Sequence, residues 1–124
     1  MTEEDLELLA EVVTTEDPEM DPRRVYGMLA TQQMVPWRVE TKKGNCILCT
    51  EVKNKIHEKT LYVWYLCGKG IVGNGKYILS TLEAYGKLQG CSAIEALAMD
   101  GWAKYLTRPE GGFKVEHVFL KKEL

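Results

Sequence analysis

The 124-residue chain has no apolar run near the roughly 18 residues that a membrane-spanning helix needs, so no span is expected. Its start, Met1-Thr2-Glu3-Glu4-Asp5, carries none of the positive charge that opens a secretory signal, which predicts an intracellular protein. Histidine is scarce, with only His57 and His117, and cysteine is limited to four residues. Cys46 and Cys49 form a C-x-x-C, but within the strand-like run Cys46 to Val52 residues three apart point to opposite faces. Neither a zinc knuckle nor a redox dithiol is expected, and the thiols read as reduced.

Basic residues are missing from the first stretch altogether. Residues 1–21 hold nine acids and no Lys or Arg, whereas residues 22–124 carry a net charge of +7. A total formal charge of -2 excludes a bulk electrostatic grip on nucleic acid. The basic body can instead attract an anionic cofactor, a partner or its own acidic segment.

What is present reads as one α+β domain spanning 1–124. An acidic, helical part covers 1–34: Leu6, Leu9, Ala10 and Val13 recur at helical spacing after Thr2, and Asp21-Pro22 starts a second helix bearing Val25, Met28 and Leu29. A sheet core is expected over 35–98. Trp37 to Lys42 and Cys46 to Val52 form a hairpin turning at Gly44-Asn45, and the apolar run Leu61 to Cys67 is a strand covered on both faces at the middle of the sheet. A helix from Lys76 stops at Gly90, and Cys91 to Ala98 returns as a parallel strand. Residues 99–124 supply a short helix, Trp102 to Leu106 capped by Asp100, and a last strand, Phe113 to Lys121.

Between the central strand and its helix lies Gly68-Lys69-Gly70-Ile71-Val72-Gly73-Asn74-Gly75, four of the eleven glycines in eight residues. Such a loop feeds unpaired N–H groups at a helix start and suits phosphate; the same glycines also serve a plain strand-to-helix turn. No Gly-Lys-Ser/Thr follows, which excludes the Walker loop. Gly68-x-Gly70-x-x-Gly73, with Glu95 beyond it, matches a dinucleotide fingerprint, but too little chain follows for a doubly wound sheet. The aromatic run Tyr62-Val63-Trp64-Tyr65 fits a base-stacking platform or, more simply, core.

The segment Gly70-Ile71-Val72-Gly73-Asn74-Gly75-Lys76, its continuation through Cys91, and the order of elements over nearly the whole chain resemble the GCN5-related N-acetyltransferase (GNAT) superfamily. Gly90-Cys91, Ile94-Glu95 and Gly101-Trp102-Ala103-Lys104 look like short GNAT-like proteins of tailed bacteriophages. The resemblance implies a mixed, mostly antiparallel sheet with helices on both faces and a parallel β-α-β crossover around 61–98. It also implies acetyl-CoA as cofactor, held by Leu66, Cys67, Gly70, Val72, Gly73, Asn74, Gly75 and Lys76. The thioester would lie where the central and following strands splay, and an amine would attack it directly. Glu40, Glu51 and His117 are candidates to take the amine's proton, and Tyr105 to protonate the leaving thiolate. The family's Arg or Gln at the start of the loop is replaced by Gly70. A second expectation follows from that loss and from the separated charge: a non-catalytic phage virion component or assembly factor docking on other virion proteins. A phage origin would place the chain in the host cytoplasm or the virion.

Overall fold

The computed structural model describes residues 3–16, 20–42, 44–68, 75–97, 104, 106–109, 111–116 and 120–124. Helix α1, Glu3–Glu16, places Glu3, Glu4 and Asp5 in its first turn, where they complement the helix dipole. Its Leu9 and Val13 are completely buried. Helix α2, Pro22–Ala30, begins as its sequence dictates: the Asp21 side chain accepts from the Arg23 backbone N–H at 2.9 Å, and Pro22 occupies a first-turn position whose missing N–H costs nothing. Val25 and Met28 form its buried face.

Within α2, a side chain at Gly27 would meet nothing within 4 Å. Gly27→Ala therefore stabilises the fold by about 0.5–1 kcal/mol through helix propensity alone, read as a raised urea midpoint with unchanged slope.

Strands β1 (Val35–Thr41), β2 (Gly44–Asn54) and β3 (Lys59–Gly68) form an antiparallel meander, helix α3 follows over Gly75–Leu88, and strand β4 (Ala93–Ala96) returns parallel to β3. The order β1-β2-β3-β4 puts β3 in the interior of the sheet, as its apolar run requires. On one face, α1 and α2 bury Leu9, Val13, Val25 and Met28 with Ile47, Cys49 and Tyr65. On the other, Ile78 and Leu82 of α3 bury Cys46, Leu48 and Leu61. Cys46 and Cys49 thus belong to different faces, as alternation demands.

A β-bulge breaks the alternation of β3. Cys49 pairs with Tyr65 and Thr50 with Val63, leaving Trp64 as the extra residue. Leu61 and Val63 therefore face α3, Trp64 and Tyr65 both pack on the α1/α2 side, and Leu66 returns to α3.

Helix α3 ends in a Schellman arrangement. Gly90 takes a φ of 78° and donates to the Lys87 carbonyl at 3.1 Å, while Cys91 N–H donates to the Gly86 carbonyl at 2.8 Å.

Three expectations are corrected. The hairpin turn lies between the paired Thr41 and Gly44, because Gly44 supplies the φ of 131° that opens β2, and Asn45 is already paired with Glu40. Strand β4 is shorter than 91–98, since Cys91 is engaged in closing α3. Residues 113–116, 120 and 121 form no strand, and 117–119 of that expected strand lie outside the described residues. Their apolar positions find little cover, Val115 being 67% and Leu120 85% exposed, and an alternating pattern without a packing partner does not hold a strand. The Asp100 cap and Trp102 lie outside the described residues.

Candidate functional site

Strands β3 and β4 run side by side for only a short distance. Their register covers Thr60↔Ala93 to Val63↔Ala96. Beyond Val63, β3 continues to Gly68 along β2 without β4 beside it, among the described residues. The parting point coincides with the bulge at Trp64. The overhang contains Leu66, half-buried among the residues that face α3, and Cys67, paired with Ile47. Gly75 and Lys76 open α3 after the glycine loop, with Lys76 exposed. The first N–H groups of a helix have no partner within it, and its dipole puts positive charge at that end. Gly70, Val72, Gly73 and Asn74 lie outside the described residues, as do Tyr105 and His117.

The bulge also decides what stands on the α1/α2 face at the parting point. Glu51 of β2 pairs with Tyr62 of β3, and the Trp64 indole N–H donates to Glu51 Oε1 at 2.9 Å. The Tyr62 and Trp64 rings meet edge to face with centroids 4.9 Å apart. Lys53, also on β2, lays its ammonium 4.0 Å from the Tyr62 centroid and 5.1 Å from that of Trp64. All four side chains are half-buried. Glu40 stands elsewhere: it is exposed on the edge strand β1 and pairs with Asn45, six residues along β2 from Glu51, or about 20 Å. The structure brings Glu51 to the parting point and leaves Glu40 away from it.

Glu95, opposite Tyr62 on β4, is tied rather than available. Lys55 Nζ donates to its Oε2 at 2.6 Å and Thr60 Oγ1 to its Oε1 at 2.7 Å. The Lys55 hydrogen bond first, and that of Thr60 second, hold the Glu95 carboxyl below its ordinary value of 4.5. A carboxylate whose folded value is depressed adds stability above the unfolded value and loses it as pH falls through the folded one. The stability advantage of wild type over Glu95→Gln is therefore constant at neutral pH, begins to fall as pH drops past 4.5 and is lost as pH passes the lower folded value, measured by urea unfolding across pH.

Helix α1 is tied to the edge of the sheet by an ion pair, Arg38 of β1 with Asp5 of α1, itself only 8% exposed. Burial pushes the Cys46 thiol up, away from the thiolate a nucleophile needs. Among the described residues, no cluster of His, Cys, Asp and Glu could hold a metal ion, and no helix is long and apolar enough to cross a membrane.

The sequence shows Tyr62 and Trp64 as part of an aromatic run but not their partnership with Glu51 and Lys53. That partnership depends on strand register, which single-residue patterns do not carry.

No protein-family profile matches the chain, and no curated protein does. Solved structures do. A transcriptional regulator from Bacillus halodurans superposes with a TM-score of 0.69 at 14% identity, over 100% of this chain and 96% of that one. An acetyltransferase from Trypanosoma brucei gives 0.61 at 14% identity, with 100% and 96% covered. Glucosamine-6-phosphate N-acetyltransferase from Arabidopsis thaliana gives 0.58 at 15% identity, with 99% and 94% covered. The mixed four-stranded sheet, its helices on both faces and these likenesses together show the GNAT-like fold.

Proposed function

We propose that the chain is an N-acyltransferase of the GNAT superfamily, moving an acetyl group from acetyl-CoA to a primary amine carried by a small molecule or a protein. The observation that carries this reading is the overhang of β3 past β4, on the strand that precedes α3 in the chain. Beyond Val63 the edge of β3 has no β4 beside it among the described residues, which would give a slender, hydrogen-bonding ligand room to pair with it, and a helix N-terminus suits a diphosphate.

The residues present fit that cofactor. Leu66 and Cys67 on the overhang would hold the pantetheine arm, and Gly75 and Lys76, with Gly70, Val72, Gly73 and Asn74 of the loop, the diphosphate. Gly70 leaves the family's Arg or Gln unreplaced in kind; Lys76 at the helix start offers the positive charge. When bound, acetyl-CoA supplies an acyl thioester open to a nucleophile.

The chain's own part is proton handling and positioning. An ammonium with a pKa of about 10 must lose a proton before it attacks. We assign that proton to Glu51, whose Oε1 accepts from the Trp64 indole N–H. Tyr105 is the family's counterpart for protonating the departing thiolate.

A non-catalytic role in a phage virion gains no support from the described residues or from the solved structures that the chain resembles. The test is release of free thiol from acetyl-CoA in the presence of a panel of alkylamines, amino sugars and peptide amines. Amine-dependent release is the expected result. No release with any amine, together with no heat on titration of acetyl-CoA, would overturn the reading.

A further inference from the structure

The α1/α2 face of the parting point carries a cation on two aromatic rings, and that cation belongs to the protein itself. Lys53 Nζ stands over Tyr62 and Trp64, the residues on either side of Val63, where the pairing of β3 with β4 ends. The indole of the same Trp64 fixes the Glu51 carboxylate, so negative charge and two ring faces are presented at one level of the sheet. An ammonium is attracted to the negative faces of such rings and to a neighbouring carboxylate for the same electrostatic reason.

We infer that Tyr62, Trp64 and Glu51 form an ammonium subsite for the acceptor, selective for a primary ammonium on an unbranched alkyl chain, with Lys53 as its resident occupant. The inference rests on the parting point being the acceptor end of the proposed transferase. The Lys53 side chain is a tethered butylammonium, and the geometry it adopts states the ligand class: a lysine side chain or a polyamine, whose stem is slender enough to lie along the rings. An amino sugar places its ammonium on a bulky polar ring and forfeits that stacking. A substrate must displace Lys53, which therefore acts as a tethered competitor at high local concentration.

The experiment needs no acetyl-CoA. Butylammonium, glucosamine and neutral butanol are titrated into wild type and Lys53→Ser, following the Trp64 indole N–H resonance by NMR. In wild type, the ring-current-shifted Lys53 ε-methylene resonance is followed as well, a readout that does not depend on the variant folding. Butylammonium is expected to move the Trp64 signal with an affinity about tenfold higher in Lys53→Ser than in wild type. In wild type it is expected to drive the Lys53 methylene toward its free position. Glucosamine and butanol should do neither. Equal affinities in the two proteins, or a response to glucosamine or butanol matching that to butylammonium, would overturn the inference. Butylammonium binding in a protein that gives no heat with acetyl-CoA would uphold the subsite and remove the transferase.

Discussion

Glu51→Gln lowers kcat by about 10²- to 10⁴-fold at saturating amine and acetyl-CoA, the range by which a positioned base accelerates proton transfer. The substitution is chosen to leave the local geometry in place: glutamine keeps the side-chain oxygen that accepts from the Trp64 indole, and only the basic oxygen is lost. Acetyl-CoA affinity and melting temperature should stay unchanged, which separates a catalytic loss from a folding one. Glu40→Gln, on the exposed edge strand, serves as the control and should leave kcat within about twofold, since a group out of reach contributes no proton transfer. An unchanged kcat in Glu51→Gln would place the base elsewhere.

The largest stability effect is expected at Leu61. Its side chain is completely buried, its neighbours in register are Val52 on β2 and Ile94 on β4, and it sits below α3 where Gly86 comes close enough for an added Cβ to lie 3.7 Å from Leu61 Cδ2. Leu61→Ala removes contacts to three elements at once and should cost about 2–5 kcal/mol, a large share of the roughly 5–15 kcal/mol that holds a domain together. Equilibrium urea unfolding checks it. Leu88→Ala, at a side of α3 that is 84% exposed, should stay within about 0.5 kcal/mol of wild type. A loss at Leu61 of the same small size would mean that β3 is not seated under α3.

Much of the fold could be read locally. Asp21-Pro22 starts α2 because a carboxylate beside a residue without an N–H is itself the cap, and Gly90 ends α3 because only a residue at ease with positive φ closes that turn. The apolar run of β3 announces an interior strand for the same kind of reason. What depends on cross-strand register was not legible. The extra residue at Trp64 has no signature within β3; it exists only relative to Cys49 and Thr50. The Lys55 to Glu95 pair joins residues 40 apart, and the Lys53 stack joins strands across the hairpin. Phe113-Lys114-Val115-Glu116 alternates as a strand does, yet these residues form none, with Val115 left 67% exposed. For the site, Glu51 was one of several equivalent carboxylates by sequence, and only the register separates it from Glu40.

The central claim is that a thioester cofactor enters where β3 outruns β4 and α3 begins. Backbone amide shifts followed by NMR during titration with acetyl-CoA test it most directly. Perturbations concentrated at Leu66, Cys67, Gly75 and Lys76, with β1 unaffected, are the expected result. Saturating cofactor that leaves those amides unmoved, or that shifts β1 instead, would contradict it.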